Sequence, residues 1–144
     1  GKPQLLALHA PSEPAVESLR SFRSNLTLPS SRQIEKTVLI AAPTAGLGKT
    51  FVAANLAALL AAADRNVLLI DADLRKPRLH RYFRAPAAPG LAEVLNGEME
   101  FKDVVRVEAA GNLDLLLAGR ARRNPADLLL SPKLRELLDS LEKR

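Results

Sequence analysis

The sequence contains no cysteine, which excludes a disulfide framework, a thiolate metal site and a thiol nucleophile. This absence fits a reducing compartment, and we expect a cytoplasmic location. The longest apolar run, Phe51 to Ala63, is interrupted by Asn55 and is shorter than the roughly 20 residues of a membrane-spanning helix. Three prolines, His9 and Glu13 interrupt the first 14 residues, so we expect no secretory signal either.

Aromatic residues are also scarce, with four phenylalanines, one tyrosine and no tryptophan. Proteins that bind single-stranded nucleic acid use interleaved aromatic side chains as stacking platforms, and this composition does not provide one. The chain has 21 basic and 16 acidic residues and a net charge of +5. We therefore expect no nucleic-acid partner, because a phosphate-rich ligand explains part of the positive charge more simply.

The length and apolar content predict a single domain over residues 1–144. Residues 1–11 show no periodicity and are predicted to be a leader. An amphipathic helix is predicted within residues 12–28, followed by an α/β core over 37–144. The apolar stripe of the helix consists of Val16, Leu19, Phe22 and Leu26.

Continuous apolar runs predict three strands of a parallel sheet that is flanked by helices on both faces. These runs are 37–42, 67–70 and 113–117. Residues 49–63 lie between the first two runs and are apolar on nearly every face, so they predict a core helix. Shorter helices are predicted at 77–83, 91–95, 125–130 and 132–141. The order strand, helix, strand is a βαβ unit.

The stretch from Ala42 to Thr50, APTAGLGKT, joins the first predicted strand to the core helix. Backbone N–H groups of a glycine-rich loop and of a helix N-terminus converge on phosphate in such a place, with a lysine near the β and γ phosphates and a hydroxyl on Mg²⁺. Pro43 replaces the first glycine of the usual pattern, and the alternative is an ordinary turn. The predicted ATP-binding residues are Ala45, Gly46, Leu47, Gly48, Lys49, Thr50 and Phe51.

An acidic segment, DADLR, follows the second predicted strand. Ligands of open parallel sheets lie beyond the carboxyl ends of the strands, so this segment and the phosphate loop are predicted to face one pocket. The carboxylates of Asp71 and Asp73 are suited to binding a hydrated Mg²⁺ or to accepting the proton of a hydroxyl group. Thr50 is predicted to be a further ligand of the metal. Arg75 is predicted to neutralise phosphoryl charge. The alternative is that the aspartates cap the next helix and Arg75 pairs with them.

Three elements together resemble the bacterial tyrosine kinases, or BY-kinases, of polysaccharide export and capsule systems. Residues 42–50 are similar to their Walker A loop, and residues 68–75 are similar to their DxDxR motif. The third element is the ExxRxxR helix, formed by Glu17, Arg20 and Arg23. The resemblance covers residues 15–141 and implies a P-loop NTPase-like fold that is incomplete at the C-terminus. It also implies ATP and Mg²⁺ as cofactors and autophosphorylation on tyrosine in exopolysaccharide and capsule synthesis and export.

The same resemblance implies residue roles and partners. Lys49 and Thr50 bind the ATP phosphates and Mg²⁺, while Asp71 and Asp73 complete the metal site and activate a tyrosine hydroxyl. The ExxRxxR helix implies a homo-oligomer, and the alternative is a solvated face with an i,i+3 ion pair. A membrane activator protein or domain is also implied, with this chain at the inner face of the cell membrane as part of a larger protein or complex.

The sequence departs from this family in two respects. The Walker B strand, an apolar run that ends in aspartate, is expected to begin near residues 141–144 and is not in the sequence. The C-terminal tyrosine cluster is missing too, and the single tyrosine, Tyr82, is predicted to be a packing or surface residue. We therefore expect these 144 residues alone to be a poor kinase.

Two other functions remain open on the sequence. A ParA- or MinD-like partition ATPase shares the strand, loop and helix, but that class carries a signature lysine where this chain has Thr44. A truncated module that binds nucleotide or self-associates without activity is the other. Two basic clusters are predicted to be solvated surface. They are formed by Arg75, Lys76, Arg78, Arg81 and Arg84, and by Arg120, Arg122 and Arg123.

Overall fold

The computed structural model describes residues 4–26, 37–44 and 46–143. The helices are α1 (Leu6–His9), α2 (Pro14–Leu26), α3 (Lys49–Ala61), α4 (Leu79–Tyr82), α5 (Leu91–Asn96), α6 (Phe101–Val104), α7 (Pro125–Leu129) and α8 (Pro132–Glu142). The strands are β1 (Val67–Ile70) and β2 (Leu113–Leu116). Within these described ranges, no helix has both the length and the apolar character that crossing a membrane requires.

Strands β1 and β2 pair in parallel, with Val67 opposite Leu113 and Ile70 opposite Leu116. Because successive side chains of a strand point to opposite faces, the pair presents two apolar surfaces. One surface packs against α3, and the other packs against α5, α7 and α8. This is a parallel sheet between two helical layers, so the predicted α/β fold class is confirmed.

Helix α3 lies at the centre of the first helical layer. It contacts α1, α2 and β1, and it buries residues on almost every side, as the apolar pattern predicts. Its buried residues are Ala54, Asn55, Leu56, Ala57, Ala58, Leu59 and Ala61. Four of them are alanines, whose small side chains let the neighbouring helices and the sheet approach closely.

The apolar run 37–42, predicted to be a strand, does not form one. Val38 is 47% exposed and Leu39 is 86% exposed. A strand needs N–H and C=O groups of a neighbouring strand as hydrogen-bond partners. Within the described part of the chain, β1 and β2 pair with each other and no backbone hydrogen bond reaches residues 37–42. The segment is held instead by Thr37, whose hydroxyl donates to Glu142 Oε1 at 3.0 Å.

The predicted leader, residues 1–11, contains α1, which packs against α3. Leu5 and Ala7 are buried, with 5% and 9% exposure. The Ala7 N–H donates to Asn55 Oδ1 at 2.9 Å, and Asn55 Nδ2 donates to the carbonyl of Phe51 at 2.9 Å. Asn55 is fully buried, so the amide that interrupts the apolar run of α3 is the hydrogen-bonding anchor of the N-terminal segment.

Helix α2 packs on α3 through part of its predicted stripe. Val16 and Leu19 are buried against α3, whereas Phe22 is 46% exposed. Arg23 Nη1 donates to the carbonyl of Leu59 in α3 at 3.1 Å. Of the predicted stripe, Val16 and Leu19 are therefore buried and Leu26 is partly buried, while the Arg23 bond adds a polar contact between α2 and α3.

We expect Asn55→Ala to destabilise the protein by about 1–3 kcal/mol, because the buried N–H of Ala7 loses its acceptor. Urea unfolding followed by circular dichroism measures the change. Asn25, exposed on α2, provides the control, and Asn25→Ala should change the free energy of unfolding by less than about 0.5 kcal/mol. Equal effects of the two substitutions would contradict an anchoring role for Asn55.

Candidate functional site

The phosphate loop enters α3 through two glycines in the left-handed backbone region. Gly46 has φ +85° and Gly48, the N-cap residue of α3, has φ +80°. Residues with a Cβ rarely adopt this conformation, so glycine is required by the backbone and not by lack of space. None of the described side chains caps α3, which leaves N–H groups at its start available to an anion.

The other predicted loop residues differ in what they offer. Leu47 is 61% exposed and Thr50, the second residue of α3, is partly buried. The side chain of Phe51 is partly buried and packs against a cluster that includes buried residues of α1 and α2. Ala45 lies outside the described residues. Of the predicted binding residues, Gly46 and Gly48 therefore set the backbone conformation of the loop, and Lys49 contributes a side-chain contact to Asp73.

Asp71 lies directly after β1 and is buried, with 8% exposure. Its Oδ1 accepts the N–H of Asp73 at 3.1 Å, and its Oδ2 accepts the N–H of Leu79 at 3.2 Å. Burial raises the pKa of Asp71, although these two hydrogen bonds oppose the shift. Both oxygens thus hold the loop between β1 and α4 in a fixed conformation.

Asp73 connects this loop to the phosphate loop. Its Oδ2 lies 2.7 Å from Lys49 Nζ, and its Oδ1 accepts the N–H of Lys76 at 3.1 Å. Burial alone would raise the pKa of Asp73, but the Lys49 hydrogen bond, the Lys76 N–H and the charge of Lys49 together hold it below its ordinary value. The structure therefore brings together the two segments that were predicted to face one pocket.

The helix-capping alternative describes part of what the aspartates do. Asp71 accepts the N–H of Leu79, the first residue of α4. Asp73 binds a loop N–H instead, and Arg75 is exposed and forms no ion pair with either aspartate. The sequence identified the carboxylates but gave no signal that three of their four oxygens would accept N–H groups from their own loop.

The donor set of the site suits Mg²⁺ bound together with nucleotide phosphates. Among the residues that the structure describes, no cluster of three or more His, Cys, Asp or Glu side chains forms a metal cage. Mg²⁺ does not need one, since it commonly uses one or two carboxylates, phosphate oxygens and water. The hydroxyl of Thr50 and the partly exposed carboxylate of Asp73 fit this requirement better than the fully engaged carboxylate of Asp71.

Glu93 organises the neighbouring loops and was not predicted. Its Oε2 accepts the N–H of Gly90 at 2.7 Å, and its Oε1 accepts the N–H of Arg120 at 3.0 Å. These bonds tie the start of α5 to the loop that follows β2. The signal in the sequence is the spacing of Gly90 and Glu93 before a helix, in which the third helical residue returns to the N-cap N–H.

Tyr82 is part of the packing near the site, as predicted. It lies against a cluster of buried residues, and burial raises the pKa of its hydroxyl. The cluster consists of Leu5, Ala54, Leu79 and Leu117.

Both basic clusters are exposed, and each follows the carboxyl end of a strand. Arg75, Lys76, Arg78, Arg81 and Arg84 follow β1, and Arg120, Arg122 and Arg123 follow β2. The edge of the sheet that carries Lys49 and Asp73 is therefore strongly positive.

Comparison with known proteins identifies a matching family model and relatives of this chain. The family model described as the CobQ/CobB/MinD/ParA nucleotide binding domain matches residues 38–139. The putative tyrosine-protein kinase EpsB of Ralstonia nicotianae is 43% identical over 136 residues, which are 94% of this chain and 18% of that protein. The tyrosine-protein kinase ptk of Acinetobacter johnsonii is 36% identical over 140 residues, which are 97% of this chain and 19% of that protein.

Solved structures of tyrosine kinase domains also superpose on this chain. The BceF tyrosine kinase domain superposes with a TM-score of 0.86 at 38% identity, covering 98% of this chain and 56% of that one. The kinase domain of the Escherichia coli tyrosine kinase ETK superposes with a TM-score of 0.89 at 34% identity, covering 96% and 55%. The chain thus spans about a fifth of the curated relatives, at 18% and 19%, and a little over half of the solved domains.

We expect the stability of the protein relative to Asp71→Asn to fall as the pH rises above 3.8, the ordinary pKa of an aspartate. Because burial raises the pKa of Asp71, the folded protein binds more protons than the unfolded protein above that pH, and ionisation favours unfolding. The contribution of Asp71 to the free energy of unfolding is therefore fully present below pH 3.8. It is lost as the pH rises through the raised pKa of the folded protein.

Urea unfolding of both proteins at several values between about pH 4 and pH 7 measures this difference. Asp139→Asn, at an exposed position on α8, controls for a general effect of charge removal. If the free energy of unfolding of the unmodified protein instead rose relative to that of Asp71→Asn as the pH increased, the ionised carboxylate would stabilise the fold and the prediction would be wrong.

Proposed function

The chain belongs to the CobQ/CobB/MinD/ParA nucleotide-binding domain family, and we propose that it is the ATP-binding part of a bacterial protein-tyrosine autokinase. The observation that carries the proposal is the 2.7 Å contact between Lys49 Nζ and Asp73 Oδ2. It joins a phosphate loop, which alone supports nucleotide binding, to carboxylates that suit metal binding and proton transfer. The similarity to tyrosine kinases supports the same combination.

In this proposal each residue has a defined task. The N–H groups at the start of α3 and the ammonium of Lys49 bind the phosphates of ATP. Thr50 and Asp73 would hold Mg²⁺, which would supply charge neutralisation for the transferred phosphoryl group. Asp71 positions Asp73 through the hydrogen bond to its N–H. Arg75, exposed beside them, offers a guanidinium to the transferred phosphoryl group.

The physiological setting is also part of the proposal. We place the chain in a larger protein or complex at the inner face of the cell membrane, with a membrane activator protein or domain as partner. Its role there is the control of exopolysaccharide or capsule synthesis and export. The similarity to the putative tyrosine-protein kinase EpsB and to other bacterial tyrosine-protein kinases supports this setting.

A partition ATPase is the second candidate, because the matching family description includes MinD and ParA. Two features favour the kinase. Thr44 stands where partition ATPases carry their signature lysine, and the relatives described above are named tyrosine kinases. A truncated module without activity is the third, and measurement of tyrosine phosphorylation separates it from the kinase.

For self-association we propose a surface on α2. Arg20 Nη1 donates to Glu17 Oε2 at 2.9 Å in an exposed i,i+3 pair, which is available to a second copy. Arg23 also belongs to the predicted homo-oligomer motif, but it binds the carbonyl of Leu59 within the chain. Glu17 and Arg20 therefore face the partner in this proposal, while Arg23 holds α2 in place.

We expect Lys49→Met in the full-length protein to weaken binding of Mg-ADP by about 10- to 100-fold, because a charge-assisted contact to phosphate is lost. Phosphate on tyrosine, measured by intact mass, should disappear with it. Calorimetry measures binding, and Lys102→Met, at an exposed position on α6, is the control. If Lys49→Met bound Mg-ADP as tightly as the unmodified protein, the assignment of this loop as a phosphate-binding loop would be wrong. Binding without any tyrosine phosphate in the unmodified protein would favour the other two functions.

We expect Arg20→Ala to lower the oligomer mass of the full-length protein in light scattering. The exposed pair contributes little to folding, so the free energy of unfolding should change by less than about 1 kcal/mol. Arg23→Ala should instead lower stability, since it removes the bond between α2 and α3. An unchanged oligomer mass in Arg20→Ala would contradict the proposed surface.

A further inference from the structure

Leu5 connects the N-terminal segment to the acidic loop, residues 71–78. Its side chain is 5% exposed and belongs to one apolar cluster. The other buried members of this cluster are Ala54, Leu79 and Leu117. The N–H of Leu79 donates to Asp71 Oδ2 at 3.2 Å, and Asp71 Oδ1 accepts the N–H of Asp73 at 3.1 Å. The packing of Leu5 thus supports the first residue of α4, which holds the acidic loop through Asp71.

The same N-terminal segment is joined to the first turn of α3. The N–H of Ala7 donates to Asn55 Oδ1 at 2.9 Å, and Asn55 Nδ2 donates to the carbonyl of Phe51 at 2.9 Å. Phe51 lies in the turn of α3 that begins with Lys49, where the phosphate loop ends. Leu5 and Ala7 therefore link the N-terminal segment to both halves of the candidate site, one through an apolar cluster and the other through hydrogen bonds.

The acidic loop has few buried side chains of its own. Asp71 and Leu74 are buried, and the other side chains of the loop are exposed or partly exposed. A segment with few buried apolar contacts opens locally at low free-energy cost, so its geometry depends on how its two ends are held. Strand β1 holds the first end and Leu79 holds the second.

We propose that Leu5 is a positioning residue for Asp73. By packing in the cluster of Leu79, it keeps the hydrogen bonds of Asp71 in place and so directs the Asp73 carboxylate to the phosphate loop. For its effect on catalysis this inference rests on the proposed function, whereas the effect on the conformation of the acidic loop does not depend on it.

The first measurement is hydrogen exchange by mass spectrometry on the full-length protein. In Leu5→Ala, amides of residues 71–82 should exchange about tenfold faster than in the unmodified protein, because the support of Leu79 is weakened. Leu113→Ala is the matched control, since Leu113 is buried in a separate cluster at the opposite end of β2. It should lower the free energy of unfolding without a selective effect on residues 71–82. Leu5→Met conserves volume and should stay within about twofold of the unmodified protein.

The second measurement is the rate of tyrosine phosphorylation by the folded full-length variants. Leu5→Ala should lower kcat by about tenfold, because Asp73 is displaced from its productive position. The KM for ATP should change by less than about threefold, because the phosphate loop and the Asn55 hydrogen bonds are unaltered. Leu113→Ala and Leu5→Met should keep kcat within about twofold of the unmodified protein.

The two measurements distinguish failure of the positioning role from failure of the proposed function. Unchanged exchange of residues 71–82 in Leu5→Ala, or an equal increase in Leu113→Ala, would overturn the positioning role. Selectively faster exchange with unchanged kcat would overturn its link to catalysis. If the unmodified protein formed no phosphotyrosine, the proposed function would be wrong, and hydrogen exchange would still decide whether Leu5 positions the loop. If Leu5→Ala does not fold by circular dichroism, Leu5→Val is measured by the same criteria.

Discussion

The two hydrogen bonds accepted by the carboxylate of Asp71 set the geometry of the candidate site. One fixes the N–H of Asp73 and the other fixes the N–H of Leu79, so the chain turns at a defined point after β1. This turn puts Asp73 within 2.7 Å of Lys49. A buried carboxylate is unfavourable when it is charged, and here the backbone donors only partly offset that cost, because the pKa remains raised. The arrangement of the site thus requires a residue that would not be selected for stability alone.

Asp71 is itself held by the sheet and by the core. Its N–H donates to the carbonyl of Leu116 at 2.9 Å, which continues the pairing of β1 with β2 by one step. Leu79, whose N–H it binds, is 2% exposed and packs in a cluster with Leu5 and Leu117. The polar loop therefore lies directly above apolar contacts from the N-terminal segment, from α4 and from the residue after β2. Loss of packing at Leu79 acts on the same hydrogen bonds that position Asp73.

The elements that could be predicted from the sequence are those that depend on local patterns. Strand β1 is a continuous apolar run, β2 is apolar except at Asp114, and α3 from Phe51 onward is apolar except at Asn55. Helix α1 has only four residues and forms against a partner 48 positions away in the chain, so no local periodicity indicates it. The run at 37–42 has the composition of a strand, but composition does not supply the neighbouring backbone that a strand must pair with.

For the candidate site, the sequence predicted the residue types and their convergence but not how their oxygens are used. The i,i+2 spacing of Asp71 and Asp73 places both carboxylates on the same side of the chain, but only as long as the backbone stays extended. The strand ends at Ile70, and the turn that follows directs one carboxylate to the backbone and the other to Lys49. Similarly, the ExxRxxR spacing predicts that Arg23 lies on a charged face of α2. In the structure its guanidinium donates to the carbonyl of Leu59 in α3 instead.

Charge acts on two length scales at this edge of the sheet. Exposed arginines and lysines follow both strands, and from residue 71 to residue 92 the acidic residues are Asp71 and Asp73, both engaged in hydrogen bonds. Within roughly a Debye length of 8–10 Å such a surface attracts any polyanion, whereas at larger distances salt screens the attraction. At contact distance, the side chains of Asp73 and Lys49 are paired with each other. The basic loops thus raise the local concentration of anions beside the ion pair of Lys49 and Asp73.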